Sequence, residues 1–143
     1  TERFVRSDPP SQAELTDMDE EIERLLAVAE RTVPVRSART FVAVAGTATT
    51  VQGISLGLER YDRDAIHRTW LSLGDADAVS SRLASMTNAE RAAIPVMPHG
   101  RGDVIVAGAR ILVGAMHRFG FARALVSETD ILDGLAFELL SAR

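Results

Sequence analysis

The stretch Phe41-Val-Ala-Val-Ala-Gly-Thr-Ala-Thr-Thr50 joins an apolar run to a small, hydroxyl-rich turn. Phe41–Ala45 is apolar on successive residues and bounded by Gly46, the pattern of a short strand covered on both faces. The turn after it has two readings. Gly46-Thr-Ala-Thr-Thr50 can simply open a helix with threonine caps. It can also hold an anion, since small residues let a ligand approach the backbone and helix-start N–H groups favour negative charge. The hydroxyls of Thr47, Thr49 and Thr50 would then add donors. These residues alone leave both readings open.

Outward from this stretch, Leu125–Ser127, preceded by Arg123-Ala124, reads as a second buried strand. Helical patterns run from Thr47 to about Leu56, over Asp75–Met86, Asn88–Ile94 and Asp103–Phe119, and from about Asp130 to Leu140. Thr87 and Asp75 are candidate N-caps, and Tyr61–Asp64 and Pro95–Gly102 read as loops. Upstream, Asp8-Pro-Pro10 breaks the chain and Ser11-Gln-Ala-Glu14 matches a capping box. Leu15, Met18, Ile22, Leu25, Leu26 and Ala29 follow at helical spacing until Pro34. Strand and helix alternate, so an α/β fold with parallel strands and helical cover is expected. Two or three short strands are few for this much helix. Thr1-Glu-Arg-Phe-Val-Arg6 is strand-like, so residues 1–10 are expected to be a residual strand and linker. A single α/β domain is expected over 11–143, in a fragment that lacks N-terminal strands.

With 143 residues, 46% hydrophobic and 25% charged, the chain is long enough for one real core and too apolar for disorder. A net charge of −4 argues against general nucleic-acid binding. Apolar runs fall short of a membrane span, so no membrane partner is expected. The absence of cysteine excludes disulfides and thiolate metal sites and fits a cytoplasmic protein. All 16 basic residues are arginine. Coding bias explains this, and so does the match between guanidinium forks and phosphate oxygens. The acids Asp17, Asp19, Glu20, Glu21 and Glu23 read as a solvated helix face rather than a metal site.

Two further places collect chemistry. In Pro98-His-Gly-Arg-Gly-Asp103, Arg101 stands just ahead of a long helix, where backbone donors already favour an anion. It is a phosphate clamp or a loop arginine paired with Asp103 or Glu90. Ser127-Glu-Thr-Asp130 follows the second strand, at the carboxyl end where open sheets bind ligands. There Glu128 and Asp130 orient water or a metal ion, or merely complement the next helix dipole. His67, His99 and His117 are too scattered for a metal site to be read from spacing.

Taken in order, Val44-Ala-Gly-Thr-Ala-Thr-Thr50, Asn88-Ala-Glu-Arg91, Pro98-His-Gly-Arg101, Asp103-Val-Ile-Val-Ala-Gly-Ala109 and Val126-Ser-Glu128…Leu132-Asp-Gly134 resemble the carboxyl-terminal part of the Ppx/GppA phosphatases. These are exopolyphosphatases and guanosine pentaphosphate phosphohydrolases. The resemblance implies the second domain of an actin-like, sugar-kinase-like fold built from two RNase H-related domains, truncated at its N-terminus and helix-rich around a small sheet. It places Gly46, Thr47, Thr49 and Thr50 on the loop facing the phosphate or nucleotide cleft. It also makes Arg101 a polyanion contact, leaves Glu128 at the cleft, and puts Val104–Ala115 on a hinge helix against the first domain. The family's catalytic glutamate and glycine-rich phosphate loops lie upstream, so no catalytic residue is expected in this chain. Mg²⁺ is implied for the whole enzyme but not as a ligand of this chain alone. The expected activity is release of terminal phosphate from polyphosphate or guanosine pentaphosphate, with the isolated chain inactive. A non-catalytic regulatory domain that binds a nucleotide or a protein is the alternative; a sugar or acetate kinase relative fits the phrases less well. Asp130 and Ile131 stand where the family carries a glycine. The resemblance further implies that Phe41–Ala45 pairs with an absent strand. Its free edge is then expected to be covered by a homodimer contact or by residues 2–6.

Overall fold

The computed structural model describes residues 1–141; residues 142 and 143 of the expected domain lie outside them. Helix α1 (Gln12–Thr32) is followed by a short 3-10 turn, strand β1 (Phe41–Val44) and helix α2 (Ala45–Ser55). Then come α3 (Arg63–Ile66), β2 (Thr69–Ser72), α4 (Leu73–Ser85), α5 (Asn88–Ala92), α6 (Ile105–Phe119), β3 (Arg123–Ser127) and α7 (Ile131–Ser141). The strands form one sheet in the order β1-β3-β2. Strand β1 runs parallel to β3 with Val42 opposite Leu125 and Val44 opposite Ser127, so both carboxyl ends meet at one edge of the domain. Strand β2 is antiparallel to β3, with Trp70 opposite Leu125.

Alternation along the strands sends one set of side chains into the core and the other outward. Ala43, Leu71, Ala124 and Val126 are buried beneath the helices. Their interior is completed by Val51 of α2, Leu83 of α4, and Ile105, Ala109 and Met116 of α6. Helix α2 lies on the sheet, α4 and α6 pack on it and on each other, and α1 packs outermost on α6. Fully burying side chains such as Leu71 or Leu83 stabilises the fold by about 1.5–3 kcal/mol each.

Helix α1 packs on α6 through Ile22 and Leu26 beside Gly114, and arginines tie the two helices at the rim. Arg110 donates to Asp19 at 2.6 Å, and Arg118 reaches Glu30 at 2.8 Å and also pairs with Glu23. Arg24 and Arg3 take Glu21. The acidic run is thus half strap and half solvated face.

Several expectations are corrected by the fold. Residues 1–6 form a turn rather than a strand, with the N–H groups of Phe4 and Val5 both donating to the Thr1 carbonyl at 2.9 Å. The cause is Glu14, whose carboxylate accepts from the backbone of Arg6 (2.7 Å) and Ser7 (3.1 Å) and draws the segment over the start of α1. Residues 2–6 therefore give no cover to β1, whose outer edge is unpaired among the described residues. Strand β2 has no counterpart in the sequence reading, because four residues, two of them hydroxyl-bearing, give too short a pattern. Helix α4 is capped by Ser72, not Asp75; Asp75 donates its N–H to the Ser72 hydroxyl at 3.0 Å. Within the expected Tyr61–Asp64 loop, Asp62 caps the short α3.

Candidate functional site

Of the helices that begin at or near the edge where β1 and β3 end, α2 after Val44 and α6 after Val104 lack a side-chain cap. Elsewhere Ser11, Asp62, Ser72 and Thr87 cap α1, α3, α4 and α5 through their side chains. An uncapped start leaves backbone N–H donors free for another acceptor and concentrates positive potential there.

The chain between β1 and α2 turns sharply. Ala45 takes a left-handed φ of 68°, a conformation that costs a non-glycine residue about 1–2 kcal/mol. Gly46 follows, and the absence of its side chain admits the Arg101 guanidinium. A Cβ built on Gly46 would lie 2.7 Å from Arg101 Cζ. Gly108 performs the same service one turn into α6: a Cβ there would lie 2.6 Å from Thr47 Oγ1. The starts of α2 and α6 are thereby brought together with Arg101 beside them.

Arg101 is exposed and engages in no ion pair among the described residues. The alternative partner Glu90 is occupied instead by Thr87, which donates to it from its backbone at 2.7 Å and its hydroxyl at 2.8 Å. Those bonds hold the Glu90 carboxyl below its ordinary pKa. The Arg101 carbonyl accepts from Ile105 at 3.0 Å, which fixes the residue at the mouth of α6.

The threonines divide. Thr47 is partly exposed at the helix start. Thr49 is buried; its hydroxyl faces the Gly46 carbonyl at 3.4 Å and meets the Tyr61 hydroxyl at 3.0 Å. Thr50 is fully buried, and its hydroxyl has no hydrogen-bond partner among the described residues. Glu128, at the end of β3, accepts from Tyr61 Oη at 2.6 Å and lies 4.0 Å from Arg63. Loss of water around the Tyr61 hydroxyl, then the bond to Glu128, raise its pKa above the ordinary value. The Glu128 N–H donates to His67 Nδ1 at 3.1 Å. Tyr61 is thus a bridge between the α2 loop and the β3 loop that the sequence reading left in an unassigned loop.

Arg91 is the other residue whose role was not read. It is buried, donates to the carbonyls of Gly102 (2.6 Å), Met86 (2.5 Å) and Leu83 (3.2 Å), and pairs with Asp8. Asp8 also accepts from the N–H of Asn88 at 2.8 Å, at the start of α5. Arg91 therefore positions the loop that carries Arg101. Its motif Asn88-Ala-Glu-Arg91 was visible in the sequence; its long-range partners were not.

No group of three or more His, Cys, Asp or Glu side chains among the described residues is placed to hold a metal ion. Glu128 is engaged with Tyr61 and Arg63 instead. The residues present do not fit a Mg²⁺ site of their own.

The family model described as the Ppx/GppA phosphatase family matches residues 1–142. Exopolyphosphatase 2 of Mycobacterium tuberculosis is 40% identical over a match that takes in 97% of this chain and 45% of that protein. Among solved structures, an exopolyphosphatase-like protein superposes with a TM-score of 0.96 at 30% identity, covering 99% of this chain and 47% of its own. The Ppx/GppA family member of Aquifex aeolicus has the same fold, with a TM-score of 0.83 at 23% identity over 100% of this chain and 46% of its own. The chain spans about half the length of the curated relatives it matches. It belongs to the Ppx/GppA phosphatase family.

Proposed function

We propose that this chain is the carboxyl-terminal half of an exopolyphosphatase and forms one wall of its substrate cleft. The observation that carries the reading is the Arg101 guanidinium, without an ion-pair partner among the described residues and lodged against Gly46, between two uncapped helix starts. A guanidinium offers two parallel N–H donors to phosphate oxygens, and helix-start N–H groups add fixed donors that need no reorganisation. Thr47, the one of the three threonines that is partly exposed, is the hydroxyl nearest to such a ligand's reach. Thr49 and Glu128 act through Tyr61 by fixing the two loops, and buried Thr50 shapes the helix beneath.

In the reaction, water attacks the terminal phosphorus, the bridging P–O bond breaks, and orthophosphate leaves a chain shorter by one unit. The group that activates water belongs to the other half of the protein. The part of Arg101, Thr47 and the α2 start is to hold the polyanion in register, which is where much of phosphoryl-transfer catalysis lies. Polyphosphate is preferred over guanosine pentaphosphate as the substrate because the curated relatives are exopolyphosphatases. The test is phosphate release by the two-domain protein on both substrates, beside the isolated chain. Release from polyphosphate by the longer protein and none by the chain is expected. Turnover by the chain alone, abolished by Arg101→Ala, would overturn the division of labour. No turnover of either substrate by the longer protein would favour a regulatory binding domain.

A further inference from the structure

A cleft of about 530 Å³ lies where α1, α4 and α6 meet, a volume in the range of small-molecule sites. Its apolar lining is Ile22 of α1 with Val113 and Gly114 of α6. The two helices come close there, since a Cβ on Gly114 would lie 3.1 Å from Ile22 Cγ2. The cleft flanks the carboxyl-terminal half of α6, whereas Arg101 stands ahead of the other end of that helix.

The charges around it are unbalanced. Both bases that α6 contributes are engaged: Arg110 Nε donates to Asp19 at 2.6 Å, and His117 Nε2 donates to Asp77 of α4 at 2.9 Å. Glu20 and Glu23 bring two further carboxylates. Glu23 meets Arg118, and Glu20 has no ion pair among the described residues. The excess is negative.

Carboxylates on helix faces are ordinarily just solvated; Ser80 sets this place apart. Its side chain lines the cleft from α4, and the residue is only 4% exposed. Ser85 on the same helix returns its hydroxyl to the Arg82 carbonyl at 2.9 Å, but the Ser80 hydroxyl has no hydrogen-bond partner among the described residues. A hydroxyl kept from water without a partner is a cost that an occupant of the cleft removes.

We propose that this cleft binds a small linear polyamine. Its ammonium groups donate to Ser80 Oγ and to the carboxylates of Glu20 and Asp77, and its methylenes lie along Ile22 and Val113. Other occupants fit less well. An anion meets repulsion, and an apolar molecule strips water from carboxylates without pairing them. No three His, Cys, Asp or Glu side chains among the described residues are placed to hold a metal ion. The site does not depend on the phosphate reading of Arg101.

The test is isothermal titration calorimetry of the two-domain protein with spermidine, at two temperatures, in phosphate-free buffer at about 0.15 M salt. Saturation at one spermidine per chain is expected. Ser80→Ala keeps the cleft open and removes only the hydroxyl, so it should weaken binding at least about fivefold, the loss of a charge-assisted hydrogen bond. Asp77→Asn, a half-exposed position, should weaken it as well, with thermal melts confirming that both variants fold. Binding that does not saturate at one per chain would overturn the proposal by showing general attraction to an acidic surface. No binding heat at either temperature, or a smaller effect of Ser80→Ala, would overturn it equally.

Discussion

The Arg101 guanidinium occupies the space that a side chain on residue 46 would fill, so a Cβ there would displace it. Gly46→Ala should push the guanidinium off the start of α2. In the two-domain protein this is expected to raise KM for polyphosphate about tenfold, the loss of roughly one charged hydrogen bond. Steady-state phosphate release measures it. Ala45, with its φ of 68°, is expected to respond the other way to glycine. Ala45→Gly should stabilise the chain by about 1 kcal/mol in urea unfolding, because glycine adopts this conformation freely. Arg91→Met removes the donor for three carbonyls, and a cost of about 3 kcal/mol is expected in the same measurement. The place of Arg101 at the mouth of α6 was legible in the sequence because it stands ahead of a strongly periodic helix. Arg91 and Tyr61 were not, since their partners lie 11 and 67 residues away, respectively.

At the scale of elements, local signals carried most of the reading. The capping boxes at Ser11 and Thr87 are both formed, since a hydroxyl and a glutamate three residues apart satisfy each other whatever surrounds them. Strands β1 and β3 were legible as bounded apolar runs, whereas β2 depends on its pairing with β3 and has little pattern of its own. The 1–6 segment misled because its strand-like composition says nothing of Glu14, which captures it. Hydrogen bonds from Ser7 first, and then from the Ser11 backbone, lower the Glu14 pKa from 4.5 to about 2. A depressed carboxylate pKa contributes stability that is complete above the unfolded value, near 4.5, and is lost as pH falls through about 2. Glu14→Gln should therefore lower Tm at neutral pH. The difference from the parent chain should shrink between pH 4.5 and 2 and vanish below, as thermal melts across that range would record.

At the scale of the whole molecule, several surfaces stand without cover among the described residues. The outer edge of β1 is unpaired, the starts of α2 and α6 carry no side-chain cap, and the apolar side chains of α7 are exposed among the described residues, in a chain that spans about half the length of its curated relatives. A groove of about 370 Å³ along β1 and α6, lined by Val42, Val44, Ile111 and Ala115, adds an apolar seat beside the uncapped helices. No helix among the described residues is long and apolar enough to cross a membrane. Such faces do not follow from local patterns, because periodicity shows which residues are apolar but not which of them find cover within the same chain. Whether Arg101 holds the phosphate chain is decided by comparing polyphosphate hydrolysis in the parent two-domain protein with Arg101→Ala and Arg101→Lys. A KM raised at least about tenfold is expected for alanine, with partial recovery for lysine, which keeps the charge but loses the fork, and an unchanged Tm for both. A KM and kcat unaltered by Arg101→Ala would contradict it.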